Sequence, residues 1–391
     1  VFQMDEGGND KLDLVFEVRV GEMNDFTAFL PVGRMDGSEF QIDWGDGELD
    51  SSNDKKFEND GFVYHKYETG GEATTYDVRI SGKVTRICSD RIGEGLRSSI
   101  VAVKQWGNVG IHDMSHAFAG FTSLERLAED DQSGLSSVVN FGGAFERCPR
   151  LVSIPSELFR YASRGEYFDN LFYRCEALKE VPDGLFSNCP SAVSFHETFR
   201  ECRSLERIGN GVFNGCTNVE SFEFVFHLTN IKVIPSDLFR DAVSAKNFHG
   251  VFEGCCEIRQ IPSNLFATAV CASTFESAFS GTSISSIPSE LFSNNKDVDS
   301  FYGTFSTCRE LPSIPVALFD NNRKVTNFNY AFEGCSQVSG ETPYTMINGH
   351  KVHLYERYDY PDYFVTPIYH EGCFSGDDQC VDFPSIPESW L

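Results

Sequence analysis

Thirteen cysteines and nine histidines are the residues of this 391-residue chain with the widest chemical range. Zinc sites use such residues in close pairs, but the sequence contains no Cys-x-x-Cys pair. His196 and His249 share one position of the repeat described below, yet two repeats separate them, which is on the order of 10 Å. We therefore predict no metal site, and we interpret these histidines as exposed polar residues.

An acidic turn offers oxygen ligands instead, through Asp43, Asp46, Glu48, Asp50 and Asp54. Hard cations such as calcium prefer several carboxylate oxygens, but this turn lacks the EF-hand spacing. We interpret it as a solvated acidic loop. The chain has no Gly-x-Ser-x-Gly, phosphate-loop or His-Glu-x-x-His motif, and no carboxylate pair stands out as a glycosidase site. The sequence thus predicts no catalytic residue and no cofactor.

The cysteines belong to a pattern that recurs about eight times: Phe-x-x-x-Phe-x-x-Cys, then Leu-x-x-Ile-Pro, then x-x-Leu-Phe. A fixed period of 26 or 27 residues predicts a solenoid, in which each repeat buries its apolar side against its neighbours. The leading Phe of each repeat lies at Phe141, Phe168, Phe195, Phe222, Phe248, Phe275, Phe301 and Phe328.

The spacing within a repeat predicts its local structure. Phe195, Phe199 and Cys202 lie at i, i+4 and i+7, one face of about two helical turns. The Leu-x-x-Ile stretch ends at a breaker and predicts a short strand of a parallel sheet. The Leu-Phe pair predicts another helical turn. Of the 36 Phe residues, 24 occupy three repeat positions, which we predict to be core ladders.

Six ladder cysteines occupy one position of this pattern: Cys148, Cys175, Cys202, Cys255, Cys308 and Cys335. We predict that they are buried free thiols, because neighbouring repeats would hold their Cβ vectors parallel, a poor geometry for a disulfide. Cys189 and Cys216 recur at a second position and receive the same interpretation. The repeats of Phe222 and Phe275 are one residue shorter and lack the cysteine, which predicts a surface turn that tolerates deletion.

Residues 1–92 differ in character and predict a small all-β sandwich, ahead of a solenoid over residues 93–391. Apolar and polar residues alternate in short runs separated by turn residues. The runs are 14–20, 27–31, 40–44, 62–67 and 76–80. At the solenoid ends, residues 114–140 form a divergent capping unit, and residues 341–378 interrupt the pattern. Cys380, Phe383 and Ile386 then predict a final half-repeat that closes the chain.

The stretch Trp44-Gly45-Asp46-Gly47, followed by His65 and Tyr67, resembles the polycystic-kidney-disease-type sandwich domain. Together with the Phe-x-Gly-Cys and Ile-Pro-Ser-x-Leu-Phe repeats, it makes nearly the whole chain resemble BspA-like leucine-rich-repeat surface proteins of bacteria. The resemblance implies export, display at the bacterial cell surface as an outer-membrane lipoprotein or a secreted protein, and adhesion or protein binding. It implies no catalytic residue. The polar start at Val1 is what a processed or trimmed chain would have.

The net charge of −26 argues against nucleic acid and anionic membrane surfaces as partners. No run reaches transmembrane length, and we expect a monomer. The two middle residues of Leu-x-x-Ile should face solvent and form a charged row. Its ligand-face candidates are Arg126, Lys179, Glu180, Arg207, Lys232, Arg259 and Gln260.

We therefore expect a non-enzymatic surface binding protein whose partner is an extracellular protein or glycan. Two alternatives stay open. One is a hydrolase acting on surface glycans or proteins, with its site between sandwich and solenoid, and the other is a purely structural surface-layer component. Ordinary charge interspersion that keeps a parallel sheet soluble would also explain the charged row.

Overall fold

A computed structural model describes residues 12–33, 37–54 and 63–391 of the chain. Within these residues the fold consists mainly of short strands and tight turns. These residues form a first unit ending at Ala192 and a second unit beginning at Val193. No α-helix occurs in the described ranges, so the predicted helical turns are wrong. The only helices there are 3₁₀ segments: Glu22–Asn24, Glu94–Leu96, Leu354–Asp359, Phe383–Ser385 and Glu388–Trp390.

Twelve strands lie in the described ranges. They are β1 (Leu14–Val20), β2 (Thr27–Leu30), β3 (Glu39–Asp43), β4 (Leu49–Ser51), β5 (Val63–Lys66), β6 (Thr74–Lys83), β7 (Ile100–Gln105), β8 (Arg126–Leu127), β9 (Glu180–Val181), β10 (Arg207–Ile208), β11 (Tyr344–Ile347) and β12 (His350–His353). The alternating runs of the N-terminal segment thus form strands. Phe62, which the sequence places at the start of the fourth run, lies outside the described residues.

A six-stranded sheet forms the start of the first unit, in the order β4-β3-β6-β1-β7-β8. β1 is central and antiparallel to both β6 and β7, with Phe16 opposite Val78 on one side and Val103 on the other. β7 then pairs in parallel with β8, a strand of the first repeat. β2 and β5 form a separate antiparallel pair. The sheet therefore runs past residue 92, where the sequence placed the edge of a separate sandwich domain.

Trp44 organises the acidic turn between β3 and β4. Its ring stacks on His65 at 4.8 Å, and its carbonyl accepts a hydrogen bond from the Tyr67 hydroxyl at 3.0 Å. His65 Nε2 lies 2.8 Å from the Asp46 carboxylate, while Trp44 Nε1 donates to Asp50 at 2.7 Å. Partial burial is the largest single effect and would raise the pKa of Asp46, but the hydrogen bonds that the carboxylate accepts from His65 and from backbone amides together outweigh it, and the pKa is lowered. These two carboxylates thus make internal contacts, while residues 45–49 of the turn are exposed to solvent.

Each Phe-x-x-x-Phe-x-x-Cys segment is a turn ribbon, meaning a run of successive tight turns. In the ribbon that starts at Phe195, the residues two and six places on, Glu197 and Glu201, have positive φ values of 55° and 58°. The Thr198 amide closes one turn onto the Phe195 carbonyl at 3.2 Å, and the Arg200 amide closes the next onto Glu197 at 3.1 Å. A left-handed third residue is what a type II turn requires.

The remaining amides of the ribbon bond to the next repeat. The amides of Phe195, Glu197 and Phe199 donate to carbonyls of the following ribbon at 3.1, 2.9 and 2.9 Å, and that of Glu201 does so at 2.8 Å. Amides therefore alternate between closing a turn and bonding the neighbouring repeat. The left-handed residues recur every four positions, so the ribbon places Phe195 and Phe199 on one face, as a helix would. The sequence spacing alone therefore could not distinguish a turn ribbon from a helix.

The regular parallel pairing between repeats does not lie at the Leu-x-x-Ile stretch, where the sequence predicted it. Its regular bridges join the residue just before the leading Phe of successive repeats, as in Ser221 with Asn247 and Asn247 with Thr274. In the described residues the Leu-x-x-Ile stretch forms only the two-residue strands β8, β9 and β10. The turn ribbon explains this position of the pairing, because its inter-repeat hydrogen bonds begin at the leading Phe and hold the adjacent residues of successive repeats in register.

The aromatic ladders are confirmed. In the second unit Phe199 stacks on Phe226 with ring centroids 5.6 Å apart and an interplanar angle of 3°, and Phe226 stacks on Phe252 at 5.7 Å. The column continues through Phe279, Phe305, Phe332 and Phe374. All of these rings are buried.

The ladder cysteines plug the ends of their ribbons, and none of the thirteen cysteines forms a disulfide. Cys175 Sγ donates to the Phe145 carbonyl at 3.1 Å, and Cys308 Sγ to the Phe279 carbonyl at 3.2 Å. Burial raises the pKa of Cys175 to about 12. A thiol that is buried and protonated acts as a small apolar group with a weak donor.

The two shorter repeats keep this position, contrary to the prediction of a surface turn. Thr229 and Thr282 stand three residues after the second Phe, where the cysteine stands elsewhere, and both are buried. Thr229 Oγ1 donates to the Phe226 carbonyl at 2.9 Å and lies 3.2 Å from Cys255 Sγ. A hydroxyl replaces the thiol, and the deleted residue lies after it.

The inserted C-terminal segment caps a second polar column. Asn322 Nδ2 donates to the carbonyls of Phe292 and Asn295 at 3.1 and 2.8 Å. One repeat on, the guanidinium of Arg357 donates to the carbonyls of Phe319 and Asn322 at 2.9 and 3.0 Å. Arg357 lies in the 3₁₀ helix Leu354–Asp359, which follows β12, and it is 1% exposed. The segment therefore closes the stack rather than interrupting it.

The last repeat is aligned differently from the sequence prediction. Asn327 forms a parallel bridge with Tyr369, and the amides of the Phe328 ribbon donate to residues 369–375. This register places Phe374 beside Phe332 and puts Asp377, not Cys380, at the ladder position. Asp377 is 1% exposed, and neither of its carboxyl oxygens has a well-placed donor. Burial raises its pKa to about 8, against a weaker opposing effect of the Cys335 amide.

We predict that thiol labelling of the folded protein separates two classes of cysteine. Cys256 and Cys271 are exposed and should react first, while the buried ladder cysteines should react only after unfolding. Mass spectrometry after alkylation, with and without denaturant and never with reductant, makes the comparison. A ladder pair such as Cys148 and Cys175 found bridged would contradict the assignment of free thiols.

We predict that Asp377→Asn stabilises the protein increasingly as pH rises. Between about pH 4 and pH 8 the folded protein keeps the Asp377 proton that the unfolded chain has lost, so its free energy of unfolding falls as pH rises. Asparagine has no proton to lose, and its advantage should reach about 1–3 kcal/mol at pH 8. Denaturant unfolding at pH 5 and pH 8 measures it, with exposed Asp378→Asn as the control. An equal advantage at both pH values would contradict the prediction.

Candidate binding surfaces

The charged row divides between the two units, and every predicted member of it is exposed. Arg126, Lys179 and Glu180 belong to the first unit. Arg126 lies in β8, and its guanidinium pairs with Glu17 of β1 at 2.9 Å. Its charge is therefore partly used within the six-stranded sheet.

The second unit holds Arg207, Lys232, Arg259 and Gln260. The Lys232 amide donates to the carbonyl of Glu206 at 3.2 Å, and the Ser285 amide donates to that of Arg259 at 3.1 Å. The hydrogen bonds hold these exposed pairs on successive repeats, as the spacing predicted. The middle residues of Leu-x-x-Ile therefore do form a solvent-facing row in this unit.

An ion pair partly neutralises the positive charge of the row. Lys232 Nζ lies 2.6 Å from a carboxylate oxygen of Glu206, and this hydrogen bond raises the pKa of Lys232. The next residue, Val233, is 71% exposed. The row thus combines paired charges with an exposed aliphatic side chain, a mixture that protein-binding surfaces use.

A second polar surface lies on the turn ribbons of the same unit, and the sequence reasoning missed it. His196 and His249 are two repeats apart, but Glu223 of the intervening ribbon approaches both, at 3.9 Å and 3.5 Å. Asn247 also donates to Glu223 at 3.0 Å. The signal that could have found this group is the residue after the leading Phe, which reads His, Glu, His in three successive repeats.

His227 and Phe224 border this cluster. The ring of Phe224 lies 4.5 Å from that of His249, with the Arg200 guanidinium 5.4 Å from its centroid. Burial, aided by the positive charge of Arg200, lowers the pKa of His227 to about 4, so this imidazole is neutral at pH 7. The neutral ring packs as an aromatic and carries no charge into the cluster.

The described residues hold neither a cluster of metal ligands nor a membrane-spanning helix. Across residues 12–33, 37–54 and 63–391, no three His, Cys, Asp or Glu side chains are placed to hold one metal ion. Within the same residues, no helix has the length and apolar character needed to cross a bilayer.

Comparison with known proteins finds no matching family profile and no matching curated protein. A leucine-rich repeat protein from Bacteroides ovatus ATCC 8483 is 18% identical, with a TM-score of 0.32 over 69% of this chain and 72% of that one. The T. pallidum leucine-rich repeat protein is 22% identical, with a TM-score of 0.22 over 35% and 72%. TLR13, in a complex with ssRNA13, is 14% identical, with a TM-score of 0.21 over 76% and 48%.

Two of these three structures are leucine-rich-repeat proteins by name. The assignment of this chain to the same general kind of repeat fold rests on its own geometry: a 26–27-residue period, parallel bridges and stacked aromatic columns.

Proposed function

We propose that this chain is a non-enzymatic binding protein that holds an extracellular protein or glycan on the charged row of its second unit. The observation that supports this most is the regular exposure of Arg207, Lys232 and Arg259 on successive repeats. Arginine is enriched in protein interfaces, and complementary charges increase association rates and specificity. Exposed Val233 supplies apolar surface in the middle of the row.

The setting we propose is export and display at a bacterial cell surface, as an adhesin of the BspA-like kind, either lipid-anchored or secreted. This part rests on the sequence resemblance of the repeats and of the Trp44-Gly45-Asp46-Gly47 stretch. In the same proposal the segment that holds β1–β6 is a sandwich domain of the polycystic-kidney-disease type, whose main sheet continues through β7 into the first repeat. The Trp44, His65 and Tyr67 contacts give that segment a compact aromatic centre.

A hydrolase is the second candidate, and the His196, Glu223 and His249 cluster is the place where it would act. Carboxylates and imidazoles can exchange protons with a substrate when they lie within hydrogen-bond reach. Here the closest approach of Glu223 to either imidazole is 3.5 Å, and no nucleophile adjoins it among the contacts described. We therefore favour binding over hydrolysis, and over a purely structural surface-layer role.

We predict that reversing the charge of the row weakens binding. The variant combines Arg207→Glu, Lys232→Glu and Arg259→Glu, and the wild-type chain is first screened against immobilised extracellular-matrix proteins and glycans. Affinity for the partner found should fall at least about tenfold, since each reversal replaces an attraction with a repulsion. Equilibrium binding by surface plasmon resonance is the measurement.

The matched control combines Lys246→Glu, Lys296→Glu and Lys324→Glu, which are exposed lysines of the same unit outside the row. It makes the same change in net charge and should leave binding much closer to wild type. Equal losses in the two variants would show a general charge effect, and unaltered affinity in the row variant would remove this surface. Hydrolysis of a glycan or protein substrate by the wild-type chain would favour the second candidate.

A further inference from the structure

A shallow pocket of about 410 Å³ opens on the turn ribbons of the first unit. This volume falls within the ~300–1,000 Å³ typical of small-molecule sites. Its lining comes from three successive repeats and combines a tyrosine ring and an imidazole with short polar side chains. The lining residues are Ser115, His116, Asn140, Gly142, Gly143, Tyr167, Asp169 and Asn170.

One repeat contributes two adjacent glycines, Gly142 and Gly143, to the pocket where other repeats carry side chains at one or both positions. Gly143 has a φ of +61°, and a Cβ atom on it would lie 2.6 Å from Nδ1 of His116. A Cβ on Gly142 would meet the Asn140 side chain at 3.0 Å. In the second unit the corresponding pairs include His196 with Glu197, and Glu223 with Phe224. The two glycines thus let the side chains of His116 and Asn140 lie directly against the backbone of this repeat, where they line the pocket.

The polar groups around this pocket are held in place by bonds within the protein. Asn140 Oδ1 accepts from the Gly142 amide at 2.8 Å, which orients its Nδ2 amide as a donor. Nδ1 of His116 lies 3.4 Å from Glu146, and Ser115 Oγ accepts from Arg86 at 3.3 Å. Donors and acceptors of fixed orientation pre-organise a site for hydroxyl groups.

Tyr167 supplies the flat apolar surface. Its side chain is 42% exposed, while its backbone is fixed by a parallel bridge to Asn140 and by the Phe141 amide at 2.8 Å. An exposed ring on rigid backbone loses little conformational entropy when a ligand packs on it. Asp169, one residue after the neighbouring Phe168, adds a carboxylate to the same wall.

We propose that this pocket binds one sugar ring of a neutral oligosaccharide. Tyr167 packs against the C–H face of the pyranose, and Asn140, Asn170 and Asp169 hydrogen-bond its hydroxyl groups. The charge of the site favours a neutral sugar, because Asp169 lines the pocket and Glu146 adjoins it, while Arg86, which adjoins the pocket at Ser115, is paired with Asp113 at 3.2 Å. A sulfated or uronic acid ring would meet repulsion there. The inference does not depend on which macromolecule the charged row binds.

Saturation-transfer NMR and isothermal titration of the full chain with soluble disaccharides test the proposal. The neutral panel is cellobiose, maltose, xylobiose and chitobiose, and a glucuronic-acid disaccharide is the charged comparison. At least one neutral sugar should bind, with a Kd on the order of 1 mM or tighter. Tyr167→Ala should weaken it about tenfold through loss of the ring contact, and Asp169→Asn about fivefold through loss of a charged acceptor.

Tyr161→Ala is the matched control, because Tyr161 is similarly exposed at 37% but does not line the pocket. It should bind the sugar as the wild type does. If Tyr167→Ala does not fold, the sugar affinity of Asp169→Asn alone tests the proposal. No saturation transfer to any neutral disaccharide, tighter binding of the charged one, or equal losses in Tyr161→Ala would overturn the proposal. Because the probes are small sugars, these outcomes are independent of the test of the charged row.

Discussion

The alternation of backbone amides in the turn ribbon is the constraint on which the rest of the structure depends. In the ribbon from Phe195 to Cys202, one amide closes a turn and the next bonds the following repeat. Buried amides must be paired, and this arrangement pairs them without a helix or a long strand. Because each repeat is bonded to its neighbour every second residue, side chains at equal positions fall into register and form columns.

Columns explain why one position accepts different chemistries. The ladder position lies beside buried backbone carbonyls, so it needs a small buried donor. Cys308 donates to the Phe279 carbonyl of the preceding repeat, Thr282 donates to the same carbonyl within its own repeat, and Asp377 takes the equivalent place at the end of the stack. A carboxyl group there is a poorer choice, since burial favours its protonated form, with a pKa of about 8. The same logic makes Arg357 a cap, because it reproduces the donors of Asn322.

The sequence predicted the period, the aromatic columns and the buried thiols, because each depends only on spacing along the chain. It did not predict the turns, since a four-residue turn period and a helix both place Phe195 and Phe199 on one face. The sequence could have shown that Asp377 takes the ladder position, because Phe374 stands three residues before it, as Phe332 does before Cys335. The meeting of His196, Glu223 and His249 was missed because the two histidines were judged too far apart, and Glu223 at the same position of the intervening repeat was left out. The pocket beside Tyr167 brings together residues of three repeats, none of which belongs to a motif of its own.

Residue-resolved hydrogen exchange of the native protein tests the central claim most directly, since it reads the bonding of each amide. The account predicts slow exchange, at similar rates, for the amides of Phe195, Glu197, Phe199 and Glu201, which all bond the next repeat. Exchange of these four amides as fast as that of solvent-exposed turns would contradict the turn ribbon as the element that holds the repeats in register.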